Sequence, residues 1–480
     1  MSFDYTDTFD GGDGTTLYIG ASNELYIKSI TITPQSGSGT GTQPSTPTDP
    51  DLSGKTISLT DIPLGYASKG TSYVTMGGKT VTNRADLLSA IKSGGVIIID
   101  GMIDMSEGKL PAAGSKSTDS TDKLDAFMKS KLGGKYQTYA AWVEAYSKAC
   151  DLLTEDDIKY DKSKEPFSKN DKVQNSGLYQ DVQDLNKEYG NLIKLELQDN
   201  TTLIGKGSGS GIRGGTIQIN GKKNIQIRNL TIQDAFDPFP HHEVKSDANK
   251  TDGYNAQWDG INIQDSSKSS SENIWIDHVT FEDTMTLGYV YTQGIQQDDH
   301  KEKWQTYDGL CDMKNDSTNI TISNCIFRNH DKTMLIGSSD SDGDNTKRFV
   351  TLQGNYFYNC GQRLPMVRNT TIHILNNYYD ADSNKVYDQQ YAVGCRKNSI
   401  IYAEANYFGS GIKYSFKDSY GTLHSSGNTD NCQQKSSITS AKDSKLFKDE
   451  VGAYSYTPVT AEQAKTTAMS SAGAGYTLKQ

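Results

Sequence analysis

Cysteine is scarce in this sequence, and the cysteines present are not arranged as metal or redox motifs require. No two of them are spaced as Cys-x-x-Cys, which argues against a zinc site or a thiol redox centre. We therefore expect buried free thiols on strands. The six residues are Cys150, Cys311, Cys325, Cys360, Cys395 and Cys432.

Long apolar runs are also missing. No apolar stretch approaches the roughly 18 residues that a membrane-spanning helix needs. The chain starts with MSFDYTDTFD, which has neither the basic nor the apolar segment of a signal peptide. We expect that such a signal has been removed or that the chain is a fragment.

Positive charge is in short supply as well. The chain has 48 Lys and Arg against 59 Asp and Glu, a formal net charge of −11. Nucleic acid is therefore not expected as a partner, because its phosphates require basic side chains, and a membrane is not expected either. An acidic polysaccharide would be repelled too, unless a bound cation or a locally basic cleft intervened.

Hydrophobic residues make up only 34% of the chain, against ~45–50% in typical globular proteins. The 45 Gly and 28 Tyr favour turns and strands over helix bundles. Aromatic and β-branched residues recur along the chain, which argues against disorder. The composition thus indicates a β-rich fold.

A linker divides the chain near its start. Residues 34–52 (PQSGSGTGTQPSTPTDPDL) have the Ser, Thr, Pro and Gly content of a flexible linker. Residues 1–33 alternate like strands but are too few for an independent sheet domain. We interpret them as the C-terminal remnant of an upstream β module, and residues 53–480 as the main domain.

Two helical segments are predicted in the main domain. Residues 81–92 (VTNRADLLSAIK) predict a short helix that leads into the strands and stops at Gly94-Gly95. From about residue 103 to 192 apolar residues recur at helical spacing, which predicts a helical insertion. The chain should return to strands at Ile193.

Six strand-like segments repeat after the insertion. Each carries a polar residue near its end, and successive copies lie 49, 46, 31, 22 and 29 residues apart. The shortest spacing fits one coil of a β-solenoid, and the longer spacings fit a coil with an inserted loop. We predict stacked coils in which these polar residues form one ladder. They are Asn229, His278, Asn324, Asn355, Asn377 and Asn406.

His278 lies in a WIDH quartet that looks catalytic, yet it occupies the position of an asparagine in this ladder. An internal asparagine ladder satisfies turn amides that would otherwise be buried without partners. We therefore predict a structural role for His278. Trp275 and Asp277 are likewise expected to serve coil packing and turn bonding.

Three carboxylates stand out against this register. Asp259 (in QWDGINI) and Asp308 (in YDGLCDM) are 49 residues apart, which predicts neighbours on adjacent coils at about 4.8 Å. Clustered acids repel unless a cation joins them, and oxygen ligands select a hard ion such as calcium. Asp312 lies roughly 13 Å beyond Asp308 along an extended strand, so either the strand bends at Gly309 or two ions are involved. Alternatively, the acids are simply solvated.

Basic residues follow the acids on later coils. Lys332, in NHDKTMLIG, comes twenty residues after Asp312, and Arg363 and Arg368, in QRLPMVR, belong to the next coil. Pro365 should break the strand there and fix the turn. These cations either form intramolecular salt bridges or, with a bound metal, create a locally cationic cleft for an anionic polymer.

Together these segments resemble the pectate lyases of polysaccharide lyase family 1. The similarity extends over about residues 64 to 476, including the leading helix and the closing AMSSAGAGY. It implies an all-β fold, a right-handed single-stranded parallel β-helix with the helical insertion. Family members vary at the insertion, so no catalytic role is inferred for it. The segments are NTTLIGKGSGSGIRGGTIQINGKKNIQIRNLTI from Asn200, WDGINI, NIWIDHVTF, DGLCDMK, HDKTMLIGSSDSD and QRLPMVR.

The resemblance implies a calcium site formed by Asp259, Asp308 and Asp312. It also implies a secreted, monomeric enzyme whose substrate is polygalacturonate or low-methylated pectin. One departure bears on the metal. Position 257 is Gln where some family members have a further acid, so we expect weaker binding of the primary ion.

The resemblance also implies roles for the basic residues. Arg363 would be the base that takes the C5 proton, and Lys332 and Arg368 would bind substrate carboxylates. Arg396, in YAVGCRKNS, either reaches a distal subsite or lies on a solvated coil edge. Position 366 is Met where many family members have a basic residue, so one substrate contact is expected to be missing.

The implied reaction is β-elimination. Calcium and Lys332 on the C6 carboxylate would stabilise the charge that develops as C5 loses its proton to Arg363. The O4 glycoside would then leave, giving a 4,5-unsaturated uronide. The demanding step is the proton transfer, because a guanidinium is normally a hydrogen-bond donor only.

Three other functions fit parts of the pattern. A polygalacturonase-like hydrolase would need paired acids roughly 5–9 Å apart, which Asp308 and Asp312 could mimic, but no matching His-Gly and basic Lys segments follow. A pectin lyase for methyl-esterified polymer would not need the calcium acids. A non-catalytic carbohydrate-binding solenoid would have no reason to stack basic residues beside three acids.

Overall fold

The repeated segments stack as successive coils of a right-handed parallel β-helix, as predicted. The structure is a computed structural model. It describes residues 49–70, 72–115, 121–151, 177–244, 251–285, 304–436, 438 and 454–479. All of them belong to one unit, Thr46–Gln480. Residues 1–48 lie outside the described residues, so the upstream module and most of the linker stay predictions.

The helices of the described residues are few. A short 3-10 helix spans Gly65–Lys69. None of the described helices combines the length and the apolar character needed to cross a membrane. The α-helices are α1 (Arg84–Ile91), α2 (Asp122–Lys131), α3 (Tyr139–Asp151), α4 (Leu178–Ile193) and α5 (Ala461–Ser471).

The strands are short, mostly of two to six residues. In chain order they are β1 (Thr56–Ser58), β2 (Lys79–Val81), β3 (Gly95–Ile99), β4 (Met102–Asp104), β5 (Lys194–Glu196), β6 (Thr201–Gly205), β7 (Gly211–Arg213), β8 (Thr216–Asn220), β9 (Lys223–Arg228), β10 (Thr231–Gln233), β11 (His241–Val244), β12 (Thr251–Asn255), β13 (Ile261–Gln264), β14 (Glu272–Asp277), β15 (Thr280–Glu282), β16 (Cys311–Met313), β17 (Thr318–Ser323), β18 (Ile326–Arg328), β19 (Leu335–Ile336), β20 (Phe349–Gln353), β21 (Tyr356–Tyr358), β22 (Met366–Val367), β23 (Thr371–Leu375), β24 (Tyr378–Asp380), β25 (Val393–Cys395), β26 (Ile400–Glu404), β27 (Tyr407–Phe408), β28 (Phe416–Lys417), β29 (Thr422–Ser426), β30 (Thr429–Asp430) and β31 (Thr477–Lys479).

Three parallel sheets form the walls of the β-helix, and a complete coil contributes one strand to each of them. The ten-stranded sheet runs β2-β3-β6-β9-β14-β17-β20-β23-β26-β29. The nine-stranded sheet runs from β4 to β30, and the eight-stranded sheet runs β5-β8-β13-β16-β19-β22-β25-β28. Two small pairs complete the structure: parallel β1–β31 and the antiparallel hairpin β11–β12.

The single polar ladder predicted from the repeats was wrong by one residue. Ser323 pairs with Gln353 across β17 and β20. Consequently Cys325, not Asn324, is level with Asn355 and donates its N–H to the Asn355 side chain at 2.9 Å. The six polar residues therefore form two ladders in adjacent positions. Inserted loops vary in length between coils, so sequence spacing could not resolve a shift of one residue.

The buried asparagine ladder consists of Asn355, Asn377, Asn406 and Asn428. The side-chain oxygen of Asn377 (Oδ1) accepts the backbone N–H and the side-chain amide of Asn355, both at 2.9 Å. Its own amide donates to the Leu352 carbonyl and to Asn406, both at 3.0 Å. The predicted physical role, satisfying turn amides inside the coil stack, is confirmed for these residues.

His278 has the contacts of a structural residue. It stands at the end of the ten-stranded sheet with a φ of 50°, a left-handed conformation in which His, Asn and Asp are enriched. Its ring pairs with Asp277 at 2.8 Å and lies 4.5 Å from the ring centre of Tyr476. Trp275 is buried and donates to Ser323 at 2.9 Å. These contacts agree with the predicted packing roles.

The core of the β-helix is built from side chains that repeat from coil to coil. One example is an aromatic stack in which successive ring centres are 4.6 to 4.9 Å apart and nearly parallel. This spacing equals the distance between neighbouring strands, about 4.7–4.9 Å. The stack contains Phe281, Phe327, Phe357, Tyr379 and Phe408.

The cysteine prediction holds in part. The five cysteines whose side chains are described are free thiols, and all but Cys432 are buried. Cys311 and Cys395 lie on strands, whereas the other two buried thiols lie just after strands and Cys150 belongs to α3. Burial is thus more general among these thiols than a position on a strand.

The leading helix forms as predicted and covers the first coil. The Asn83 side chain caps α1 by accepting the Asp86 N–H at 3.0 Å. Leu87 and Ile91 are buried against the β-helix core. Apolar side chains at this end of the coil stack are thereby shielded from water.

The helical insertion is shorter than predicted at its start. Residues 102–104 form β4, so the first described helix begins only at Asp122. At the other end α4 includes Ile193, and the strand begins one residue later, at Lys194. The described part of the insertion is α2, α3 and α4, referred to below as the insertion.

The ladder generates a prediction about stability. Asn377→Ala should lower the free energy of unfolding by about 2–4 kcal/mol, because it leaves buried amide and carbonyl groups in two coils without partners. Asn384→Ala, at an exposed loop position, should change it by less than about 0.5 kcal/mol. Chemical denaturation of both variants makes the comparison. Equal stability of the two would contradict a stabilising role for the ladder.

Candidate active site

The candidate residues flank neighbouring strands of the eight-stranded sheet. Asp259 precedes β13, Asp308 precedes β16, Lys332 precedes β19 and Arg363 precedes β22. These strands are consecutive in the sheet. The four side chains therefore come from four successive coils, and the acids and cations are brought to one face as predicted.

Asp259 and Asp312 converge on Gly309. The Gly309 N–H donates to Asp259 Oδ1 at 2.9 Å. A Cβ atom at Gly309 would lie 2.2 Å from Asp312 Oδ1 and 2.9 Å from Asp259 Oδ1, so a larger residue would displace the carboxylates. The chain bends at the next residue, Leu310, just before β16, and the choice between a bent strand and two ions stays open.

The predicted pairing of Asp259 with Asp308 was wrong by one residue. Ile261 pairs with Cys311 in the sheet, which sets Asp259 beside Gly309 at a separation of 50 residues. The prediction applied the repeat spacing of the ten-stranded sheet to the eight-stranded sheet. The turns between the sheets differ in length, so the two offsets need not agree.

Asp308 faces the basic side of the site. Its Oδ1 lies 2.7 Å from the Lys332 Nζ, which also donates to the Asn255 side chain at 2.9 Å. Burial acts to raise the pKa of Asp308, but Lys332, together with Lys314 and Arg363, holds it below its ordinary value. The ion pair with Lys332 therefore favours the charged form of Asp308.

Lys314 is a site residue that sequence reasoning missed. Its Nζ lies 3.2 Å from Asp259 Oδ2. Burial raises the pKa of Asp312 well above its usual range, the charge of Asp259 raises it further, and Lys314 opposes both effects. Burial raises the pKa of Asp259 as well. A signal was available: Lys314 follows Asp312 by two residues, so strand alternation puts both on one face.

Arg368 and Arg396 are level with one another, because Val367 pairs with Cys395. Each arginine has an acidic neighbour: Asp340 lies 3.1 Å from Arg368, and Asp418 lies 3.2 Å from Arg396. Burial lowers the pKa of Arg368, and the charge of Arg396 lowers it further. The two arginines thus continue the basic row along the sheet.

Arg363 differs from the other cations. Its φ is 60°, a left-handed conformation that is uncommon for a long side chain and is found where structure imposes it, often at functional sites. Its Nε is buried without a hydrogen-bond partner, and it forms no ion pair within the part of the chain that the structure describes. Pro365, which was predicted to break the strand and fix the turn, lies immediately before β22.

A fourth acid, Asp237, lies near Asp308 and was also missed. Burial raises its pKa to about 7, and the charge of Asp308 adds to the effect. Its oxygens accept the N–H groups of Phe239 and Gln257, both at 2.9 Å. The Gln257 side chain itself bonds to His241 at 2.7 Å. Nothing in the local sequence distinguished Asp237 from a turn residue.

A buried histidine supports the Asp308 backbone. One ring nitrogen of His330 lies 2.6 Å from the Asp283 carboxylate, and the other lies 2.6 Å from the Asp308 carbonyl oxygen. With both nitrogens engaged by acceptors, the charged ring is the form that satisfies both contacts. The carboxylate of Asp283 raises the pKa of His330 against the effect of burial.

The acids suit a hard cation by their chemistry. Asp259 and Asp312 are only 3% and 2% exposed, and their mutual repulsion leaves negative charge that a divalent ion would neutralise. Oxygen ligands alone favour calcium over zinc. Among the described residues, no three acidic, histidine or cysteine side chains are grouped closely enough to hold a metal ion. In the structure Lys314 pairs with Asp259 and Lys332 pairs with Asp308.

Comparison with known proteins gives one consistent family. Residues 181–477 match the sequence profile of the family described as pectate lyase. The chain is 36% identical over 218 residues to pectate lyase E of Dickeya dadantii, an alignment that covers 45% of this chain and 50% of that protein. The chain spans about half the length of the curated relatives it matches.

Solved structures agree on the fold. A mutant pectate lyase of Bacillus subtilis superposes with a TM-score of 0.61 at 26% identity, covering 88% of this chain and 99% of that one. A pectate lyase of Acidovorax avenae subsp. citrulli gives a TM-score of 0.64 at 22% identity, covering 91% and 98%. The second likeness concerns the fold alone.

Lys314 generates a prediction about charge. In calcium-free buffer, Lys314→Met should destabilise the protein by about 1–3 kcal/mol, because Asp259 and Asp312 lose their cation. The loss should grow from pH 5 to pH 8. Removing Lys314 raises the pKa values of both acids in the folded state further above their unfolded values. The folded protein then favours the protonated acids, so its stability falls as rising pH removes those protons.

Lys206→Met is the matched control, because Lys206 pairs with Asp100 while both side chains are largely exposed, and it should change stability by less than about 1 kcal/mol. Thermal melting of the two variants at both pH values decides the matter. A Lys314→Met deficit that is the same at pH 5 and pH 8 would contradict the coupling to the buried acids.

Proposed function

The chain belongs to the pectate lyase family, and from this premise we propose that it cleaves unesterified (1→4)-α-D-galacturonan, in pectate and low-methylated pectin, by calcium-dependent β-elimination. The product would carry a 4,5-unsaturated uronide at its new non-reducing end. The acidic polymer is extracellular, so the proposal includes secretion. We also propose that the protein acts as a monomer.

One observation carries this proposal: buried acids and a row of basic side chains follow one another along successive strands of one sheet. Asp259 and Asp312 lie at one end, Lys332 lies on the next coil, and Arg363 and Arg368 lie on either side of β22 on the coil after that. A polymer with a carboxylate on every sugar matches such a row, because its charges can meet the cations directly or through a metal ion. The overall charge of −11 therefore does not prevent this binding, because the surface formed by these residues is locally basic.

The calcium ligands in this proposal are Asp259, Asp308 and Asp312. Bound calcium would neutralise these acids and withdraw charge from the carboxylate of the reacting sugar. The nearby lysines supply positive charge to the same acids in the structure described here. If a divalent ion took over that role, the charges of the lysines would become available to substrate.

Lys332 is placed to stabilise the charge that develops on the C6 carboxylate. It is 8% exposed and reaches the site between Asp308 and Asn255. In such a water-poor setting a fixed ammonium stabilises developing charge more than it would in water. Its side chain is already ordered, so little reorganisation is needed when substrate binds.

Arg363 is our candidate for the base at C5. The C5–H bond would break with its proton passing to the guanidine, C4 and C5 would form a double bond, and the C4–O4 bond would break. Loss of a guanidinium proton is unusual. Support for the role comes from the imposed backbone conformation of Arg363 and its unpartnered buried Nε.

Arg368 and Arg396 are proposed to bind carboxylates of neighbouring sugars. Each now pairs with an aspartate, and Asp340 is 60% exposed. Exposed ion pairs contribute little to stability, so a substrate carboxylate can replace Asp340 at Arg368 at low cost. Met366 is buried on the strand beside them and offers no charge, in line with the expected missing contact.

Glycoside hydrolysis is the second candidate, and one observation favours it. Asp308 has a lowered pKa and Asp312 a raised pKa, which is the division of roles between base and acid in glycosidases. Hydrolysis would yield new reducing ends without a double bond. Elimination yields both, so the ultraviolet absorbance of the product separates the two reactions.

Arg363 generates the test of the proposed reaction. With polygalacturonate and calcium, the parent should give rising ultraviolet absorbance that excess chelator abolishes. Arg363→Ala should reduce kcat by about 10²–10⁴-fold or more, because the base is lost. Arg328→Ala, on the nine-stranded sheet, should retain activity. Reducing ends without absorbance, or an active Arg363→Ala variant, would contradict the proposal.

A further inference from the structure

The insertion has an apolar core of its own, separate from the core of the β-helix. Its helices contribute Phe127, Trp142 and Tyr189 to this second core. Most of the other contributors, among them Phe239 and Trp304, come from the segments that lead to Asp259 and Asp308. The insertion therefore packs against the site loops, although no sequence pattern had assigned it a role.

Helix α3 makes two specific polar contacts to the loop between β10 and β13. The Tyr139 hydroxyl donates to the Pro238 carbonyl oxygen at 2.5 Å. The Tyr146 hydroxyl accepts the backbone N–H of His242 at 2.9 Å. Between them Trp142 packs edge-on against Phe239, with ring centres 5.4 Å apart. Both contacts fall at the start of the β11–β12 hairpin.

Residues of the candidate site lie at both ends of this hairpin. The carboxylate of Asp237 joins the two ends of the loop, accepting N–H groups from Phe239 and Gln257. Asn255, at the end of β12, accepts a hydrogen bond from the Lys332 Nζ at 2.9 Å. Asp259 follows four residues later. The position of the hairpin thus sets the positions of an acid and of the lysine that faces Asp308.

The same hairpin also fixes the segment that leads to Asp308. Tyr254 pairs with Trp304 as a parallel bridge, and the Gln305 N–H donates to the Tyr254 carbonyl at 2.8 Å. The Asp237 N–H donates to the Thr306 carbonyl at 2.7 Å. The Tyr146 ring packs edge-on against Tyr254, with centres 5.2 Å apart. Helix α3 therefore supports both chain segments that enter the acid cluster.

We propose that the insertion is a positioning module for the cation site, with Tyr139 and Tyr146 as its positioning residues. It sets the separation of the loops that carry Asp259 and Asp308, and it holds Asn255 against Lys332. This inference rests on the proposed calcium-dependent function and deepens it. Partners that orient metal ligands from outside typically change metal affinity about 10- to 100-fold when they are removed.

The test uses tyrosine-to-phenylalanine changes in the full chain, which keep the aromatic packing and remove only the hydroxyls. Calcium binding is measured by isothermal titration calorimetry for the parent and for Tyr139→Phe combined with Tyr146→Phe. We expect affinity to fall about tenfold. Tyr189→Phe is the control: its hydroxyl is buried in the same core without a hydrogen-bond partner among the described residues, and affinity should not change.

Steady-state kinetics of the same variants provide a second, independent measurement. At limiting calcium the double variant should lose about tenfold in kcat/KM on polygalacturonate, and saturating calcium should restore it. Far-ultraviolet circular dichroism should be unchanged, because the β-helix core is separate. Should the two changes unfold the protein, each is measured alone, with an expected loss of about threefold in affinity.

Calcium affinity in the double variant equal to that of Tyr189→Phe would overturn the positioning role, even if the parent is an active calcium-dependent lyase. So would a kcat/KM deficit that saturating calcium leaves in place. A parent that binds no calcium and produces no unsaturated product would instead overturn the proposed function on which the inference rests. The two failures are therefore distinguishable.

Discussion

The burial of Asp259 and Asp312 beside Gly309 disfavours their charged forms unless a cation lies next to them. Two carboxylates that share a buried space cannot both ionise freely, because desolvation and mutual repulsion disfavour the charged forms. Lys314 supplies a positive charge to Asp259 through an ion pair, and Lys332 does the same for the neighbouring Asp308. A divalent cation would meet the same need more completely, which links the stability of this region to metal binding.

The coil stack determines where these charges can lie. Neighbouring strands of the eight-stranded sheet lie about 4.7–4.9 Å apart, so the coils that carry the acids, Lys332 and the pair Arg363 and Arg368 follow one another at this step. The loops then adjust these positions. The absence of a side chain at Gly309 leaves room for the carboxylates of Asp312 and Asp259, and the hairpin supported by the insertion brings Asn255 to Lys332.

Much of this arrangement could be predicted from the sequence, because it follows from local repetition. The repeats predicted the parallel coils and the structural setting of His278, and the basic residues were assigned to the correct coils. Errors of one residue arose where loop lengths enter, at Asn324 against Asn355 and at Asp259 against Asp308. Strand alternation has a period of two, and inserted loops hide the true offset.

Other site features depend on contacts between distant segments. Asp237 lies before β11 and Asn255 lies at the end of β12, in a part of the chain without repeat character. Only the packing of α3 against that part shows how they reach the site. Lys314 is different, since its position two residues after Asp312 was visible in the sequence. Its importance becomes clear only once burial shows that the acids need a counter-charge.

The most direct measurement is a crystal structure of the calcium-loaded protein, with the ion located by its anomalous scattering. We predict calcium between Asp259, Asp308 and Asp312, with the Lys314 Nζ moved away from Asp259. Calcium bound elsewhere would contradict the central claim that these buried acids form the cation site. The claim would also fail if calcium activated the enzyme while the acid cluster stayed free of metal and the Lys314–Asp259 pair stayed in place.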